Sequence, residues 1–197
     1  MDSSEDMLAK ARKRLPHISF TLADVASWRP GPVYDLIFGN AVLQWLPDHA
    51  SLFPKLVEAL RPGGCLAIQM PDNLDEASHV SMAKVAERGP WAAKLSKARD
   101  AKAEIGAFED YRSWLTAAGC KVELWKTIYV HELVGPDAIV EWFKSTGLKP
   151  FIDPLDVDER AAFLDAYRSE IAAAYPAQAD GKALLKFPRI FIVATRL

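Results

Sequence analysis

Apolar residues recur along this chain with two alternating periods, one of helices and one of strands. Ser3 or Ser4 precedes a stretch in which Met7, Leu8, Ala11 and Leu15 share a stripe, so a capped helix is expected that Pro16 ends. Ile18, Phe20 and Leu22 then alternate with Ser19 and Thr21, which predicts a strand. The run Leu36-Ile37-Phe38 within residues 34–38 predicts a second strand, buried on both faces. Residues 52–60 read as a helix with Phe53, Leu56 and Leu60 inward, and Arg61-Pro62-Gly63-Gly64 as a turn into a strand over 65–70. Such alternation is βαβ logic, which pairs strands in parallel and lays helices on the faces of the sheet.

The second half changes texture. A polar loop over 71–77 is followed by helical stretches near 78–87 and 108–118, with Gly119 placed to stop the second. Residues 121–130 alternate as a strand with Val122, Leu124 and Ile128 on one face. Ile139, Trp142 and Phe143 mark a helix stopped near Gly147, and Phe163, Leu164, Tyr167 and Ile171 a longer one. Ile190-Phe191-Ile192-Val193, within 189–195, supplies a last buried strand. Absent repeats, low-complexity tracts or flexible linkers, 1–197 reads as a single domain.

Composition narrows the function classes. With 50% hydrophobic and 25% charged residues in 197, this is the makeup of an ordinary globular domain. The net charge of -2, without a basic run, gives no bulk attraction for nucleic acid or a membrane surface. No apolar run reaches the roughly 18 residues of a membrane span, and Asp2, Glu5 and Asp6 are the opposite of a signal peptide's basic start, so a cytoplasmic chain is expected. Oligomeric state stays open. Cys65 and Cys120 lack C-x-x-C spacing and read as reduced core residues. His17, His49 and His131 share no metal-ligand spacing with Asp, Glu or Cys, so no metal is expected. The tryptophans at 28, 91, 114, 125 and 142 read as core or partly exposed aromatics.

Four strings carry a resemblance: Asp2-Ser3-Ser4-Glu5-Asp6-Met7-Leu8, Ala23-Asp24-Val25-Ala26-Ser27-Trp28, the stretch from Tyr34 to Trp45, and Leu60-Arg61-Pro62-Gly63-Gly64. Together they resemble the class I S-adenosylmethionine-dependent methyltransferases. Gln69-Met70-Pro71-Asp72-Asn73, Gly89-Pro90-Trp91, Ile139-Val140-Glu141-Trp142 and Phe187-Pro188-Arg189 are similar to the trans-aconitate 2-methyltransferase family within that class, so the likeness runs nearly end to end. It implies an α/β, Rossmann-like class I methyltransferase fold with helical additions in the C-terminal half. One departure stands out: no glycine precedes Gly31, so the family's first strand, most of its second and the G-x-G-x-G-like loop have no counterpart. The expectation is an N-terminally truncated version, its retained strands separated by a gap or joined by substitute pairing.

The resemblance also assigns roles. It implies S-adenosyl-L-methionine as cofactor, with Asp2 accepting from the ribose hydroxyls, Met7 near the adenine face, Asp24 accepting from the adenine amino group, the Val25 backbone reading the ring edge and Asn40 beside the methionine moiety. Asp2 and Asp24 equally suit a helix cap and a turn former. The implied chemistry is methyl transfer to a carboxylate, an anion at neutral pH because its pKa is near ~4, so no general base and no catalytic residue are expected. A small polycarboxylate must instead leave water with partners in place. Arg189 is the first candidate, since Arg grips carboxylates bidentately, although a surface arginine at a strand end fits too. Trp45, Gln69, Asn73 and His79 join it as substrate-binding candidates, with Lys186, Arg112, Gln44 and Tyr129 as further donors; His79 also suits a plain helix start. Two alternatives stay open: a non-catalytic remnant or interaction module of a methyltransferase, and a methyltransferase with another small-molecule acceptor.

Overall fold

The computed structural model describes residues 1–29, 31, 33–100 and 105–197, with side chains except at 99 and 100. The chain runs α1 (Glu5–Arg14), β1 (Tyr34–Asn40), a 3-10 turn (Leu43–Trp45), α2 (His49–Glu58), β2 (Leu60–Pro71), α3 (Ala77–Arg88), α4 (Ser96–Asp100), α5 (Phe108–Ala117), β3 (Cys120–Val134), α6 (Gly135–Lys144), α7 (Lys149–Ile152), α8 (Val157–Ala174) and β4 (Lys182–Arg196). Ser4 caps α1, its hydroxyl accepting from the Met7 N–H. Gly119, at φ +80°, ends the turn after α5 in the left-handed region that glycine adopts freely.

The described strands form one sheet in the order β1-β2-β4-β3. β1 and β2 are parallel, joined by α2, and β4 runs antiparallel to both β2 and β3. One face carries Ile37, Leu66, Ile68, Met70, Ile190, Ile192 and Ala194, packed against Phe53 and Leu56 of α2 and Tyr111 and Leu115 of α5. On the other face, the start of β4 packs Ala183, Leu185 and Phe187 under a helical cap built by α3, α6 and α8. The remainder of that face, from Phe38 to Val193, is open.

Several expectations need correction. Residues 18–22 form no strand; Leu22 makes a single parallel bridge with Asp2, because alternation gives a strand only where a neighbour offers a ladder, and no other described segment does. Leu36 and Phe38 are not buried: they are 55% and 70% exposed, since β1 pairs only with β2 and no described element covers the face they point to. Leu60 opens β2 rather than closing α2. Arg61 to Gly64 lies inside β2 as an irregularity, where the register jumps from Tyr34↔Leu60 to Leu36↔Cys65. A Cβ on Gly64 would sit 2.8 Å from the Arg61 carbonyl oxygen and 2.9 Å from that of Tyr34, so only glycine fits there. In α1 the stripe reduces to Leu8, while Met7 and Leu15 are exposed. Cys120 is buried, its thiol pKa pushed up by that burial, and Cys65 is half-buried; both are free.

An unpaired strand edge beside an apolar face is a template for association. The 197-residue chain is therefore expected to self-associate and bind a hydrophobic dye, and Leu36→Lys with Phe38→Lys to reduce both in sedimentation and fluorescence assays. A monodisperse, dye-free parent chain would show that this face is covered.

Candidate acceptor and cofactor site

The C-terminal ends of β1 and β2 meet at a crevice, where open α/β sheets bind ligands. Asn40 closes β1 opposite Gln69, and Ala41 then turns away at φ +54°, a conformation that strains a residue with a Cβ. The strained turn is pinned on both sides: the Ala41 N–H donates to the Gln69 carbonyl (2.9 Å) and the Ala41 carbonyl accepts from Gln44 Nε2 (2.9 Å). Observed strain of this kind clusters at functional sites.

Two cavities adjoin the crevice. The first, about 580 Å³, lies on the open sheet face and gathers Asn40, Gln69, Tyr129, His131 and Arg189 with Phe38 and Trp125. Arg189 Nη1 donates to Gln69 Oε1 at 2.8 Å, and its guanidinium lies 5.0 Å from the Phe187 ring centroid and 5.7 Å from that of Tyr129. Arginine only donates, so the Gln69 amide must present oxygen to it and nitrogen elsewhere. That Nε2 is buried and has no hydrogen-bond partner among the described residues. Its unmet donor capacity beside a cation suits an anionic oxygen. The second cavity, about 450 Å³, lies under the helical cap and holds Gln44, Trp45, Asn73 and His79 with Trp142 and Phe187. The His79 ring sits edge-on to Phe143 at 5.0 Å.

The predicted residues thus fall into three groups. Arg189, Gln69 and Asn40 line one cavity, while Trp45, Asn73 and His79 line the other. Asp2 is bridged to Leu22, two residues before Asp24, where the Asp2 N–H donates to Thr21 O and the Ala23 N–H to Asp2 O, but neither Asp2, Asp24, Met7 nor Val25 lines either cavity. Each also does the ordinary work its sequence position suggests. Asp2 Oδ1 accepts from the Ser4 N–H at 2.8 Å and Asp24 Oδ1 from the Ala26 N–H at 2.9 Å. Phe187, His131 and Trp142 were not read as site residues. Phe187 stands two positions before Arg189 on β4, so the strand period would have put both on one face.

A buried tie holds the crevice wall. His49 Nε2 faces the Leu43 carbonyl at 2.9 Å, so it carries the proton, and Nδ1 accepts from the Tyr111 hydroxyl at 2.7 Å. The Gly106 N–H donates to the same hydroxyl at 3.1 Å, and burial pushes the Tyr111 phenol pKa well above its usual value. Tyr111→Phe would strand both His49 Nδ1 and the Gly106 N–H. At roughly 1 to 3 kcal/mol for the unmet buried His49 nitrogen and less for the half-buried Gly106 N–H, a loss of about 1 to 4 kcal/mol is expected in denaturant unfolding; a change below about 0.5 kcal/mol would mean water replaces the phenol.

Among the described residues, no group of three or more His, Cys, Asp or Glu could hold a metal, and no helix is long and apolar enough to cross a membrane. A methyltransferase domain model matches residues 1–64. The trans-aconitate 2-methyltransferase of Methylobacterium nodulans is 57% identical over 196 residues, spanning 100% of this chain and 76% of the relative. Those of Rhodopseudomonas palustris strain BisB5 and Acidovorax ebreus are 52% and 50% identical over 196 residues, each across the whole chain and 77% and 76% of their own lengths. In structure, the chain is similar to the YcgJ protein of Bacillus subtilis (TM-score 0.59, 12% identity, 98% of this chain and 80% of that one). A Bacillus halodurans C-125 protein provisionally classed as a methyltransferase gives TM-score 0.55 at 13% identity, over 99% of this chain and 80% of that one. With that identity along its whole length, and a Rossmann-like sheet whose strand ends carry the crevice, the chain belongs to the trans-aconitate 2-methyltransferase family of class I S-adenosylmethionine-dependent methyltransferases.

Proposed function

We infer that the chain serves S-adenosylmethionine-dependent O-methylation of a carboxylate on trans-aconitate or a similar small polycarboxylate, working as one methyltransferase domain. The observation that carries this reading is the Arg189–Gln69 pair: a cation midway along β4 beside a buried amide nitrogen near the end of β2 that has no partner among the described residues. Together they offer several N–H donors to one carboxylate, which can leave water only where its oxygens find such partners.

When bound, the cofactor supplies an electrophilic methyl group on a sulfonium. The residues suited to it are Asp2 and Asp24 for the adenosine end, each spending one carboxylate oxygen on a local turn, with Met7 and the Val25 backbone beside them and Asn40 at the strand end. Arg189 and Gln69 hold the acceptor carboxylate as its anion, so no side chain has to remove a proton. Held this way, one carboxylate oxygen would take up the methyl group that the bound cofactor supplies, giving a methyl ester. Tyr129 lines the Arg189–Gln69 cavity and Phe187 and Trp45 the adjoining one, so the acceptor would have aromatic rings on both sides.

The 197 residues contain no glycine-rich loop ahead of α1, so the assay supplies one by joining the chain to a family glycine-loop segment. With methyl-labelled cofactor and trans-aconitate, the label is expected in an ester that releases methanol in alkali. Base-stable label, or none despite cofactor binding, would reject carboxylate methylation. A methyltransferase with another acceptor, and a non-catalytic module, would give those two results respectively.

A further inference from the structure

The two cavities follow one another along a single face. Gln69 and Pro71 on β2, and Arg189 and Phe187 on β4, stand two residues apart, so the first member of each pair lines the donor-rich cavity and the second lines the capped one. That spacing separates them by one side-chain repeat, about 7 Å. Phe187 stands at the junction: His131, which lines the first cavity, and Trp142, which lines the second, lie 5.9 and 6.3 Å from its ring and 4.9 Å from each other, and the Arg189 guanidinium lies 5.0 Å from its ring centroid.

Their chemistry differs sharply. The capped cavity is walled by Trp45, Met82, Trp142, Phe143, Phe151 and Phe187, and its volume of about 450 Å³ falls within the roughly 300 to 1,000 Å³ of pockets that enclose drug-sized ligands. Its polar lining mixes donors and acceptors but holds no Lys or Arg among the described residues: Asn73, His79 and Thr146 stand with Gln44, whose Oε1 is buried without a partner among the described residues, and with Asp72, whose carboxylate is paired with Lys126 at 2.5 Å. A ligand carboxylate there would meet the Asp72 carboxylate without a lysine or arginine in the lining to balance it, whereas an apolar group meets aromatic rings and the Met82 thioether.

We propose that the cavities form one bipartite acceptor site, which takes carboxylic acids bearing an aromatic or branched-aliphatic arm, with the carboxylate on Arg189 and Gln69 and the arm in the pocket beneath Phe187. The proposal rests on the carboxylate reading above and adds a substrate class to it. A hydroxyl on the arm can donate to Gln44 Oε1.

The test is calorimetric titration of the 197-residue chain with succinate and with 2-benzylsuccinate, which share the carboxylates and differ by the arm. Burying a phenyl ring is worth about a 10- to 100-fold gain in affinity. Gly147→Val should erase that gain and leave succinate unchanged, because a Cβ at 147 sits 3.4 Å from Met82 Cε and Phe143 Cδ1 and would extend into the arm pocket. Trp142→Ala, which opens the wall instead, supplies a second variant and should cut the gain severalfold. Arg189→Ala should weaken both ligands. Equal affinity for the two acids, with succinate still dependent on Arg189, overturns the arm pocket and leaves the carboxylate receptor standing. Indifference of both acids to Arg189→Ala overturns the receptor and the proposal together.

Discussion

Titrated with S-adenosylhomocysteine, the 197-residue chain is expected to bind at least a thousandfold more weakly than the same chain joined to a family glycine-loop segment. In the proposed site the adenosine end would be met by Asp2 and Asp24, Asp2 being bridged to Leu22, two residues before Asp24. For the methionine carboxylate and ammonium the chain offers Asn40 but no glycine loop, because no glycine precedes Gly31. Each missing charge-assisted hydrogen bond is worth roughly 1.5 to 3 kcal/mol, and three of them amount to about three decades or more in affinity. The added segment should also give β1 a strand partner and cover Leu36 and Phe38, so a cooperative melt should accompany the gain. Micromolar binding by the 197-residue chain would show that other residues in it have taken over the loop's work.

In the loop-joined chain, Arg189→Ala should lower kcat/KM for trans-aconitate by about a hundredfold to ten-thousandfold, the loss of two charge-assisted hydrogen bonds at roughly 1.5 to 3 kcal/mol each. S-adenosylhomocysteine affinity should change less than about threefold. The difference arises because the guanidinium touches Gln69 and the rings of Phe187 and Tyr129, on the acceptor side of the crevice. Arg189→Lys should recover only part of the loss, since an ammonium has no planar fork to match a carboxylate. Equal losses for substrate and cofactor would assign Arg189 a structural role.

Local order was readable where local rules decide it. A serine cap on α1, expected at Ser3 or Ser4 and found at Ser4, Gly119 after α5, and the apolar alternation of β3 and β4 follow from side-chain chemistry and period alone. What depends on a neighbour was not: residues 18–22 alternate like a strand yet have a single bridge, and Leu36-Ile37-Phe38 reads as buried while one side of β1 stands open. Arg189 and Gln69 could each be named as donors from their strings, but their contact spans 120 residues and depends on β2 pairing with β4. The division of the acceptor candidates between two cavities has the same cause. Helical period places His79 near the start of α3, and only the packing of α6 and the entry to β4 against it puts Phe143 and Phe187 around the same pocket.

The most direct test of the Arg189–Gln69 receptor is a double-mutant cycle on kcat/KM for trans-aconitate in the loop-joined chain, using Arg189→Ala, Gln69→Leu and the pair. Because Arg189 holds the Gln69 oxygen and thereby aims its free nitrogen, the two side chains should act as a unit. The double mutant should lose little more than Arg189→Ala alone, a coupling of about 1 to 3 kcal/mol. Strictly additive losses, or a Gln69→Leu variant with full activity toward the tricarboxylate, would contradict the account.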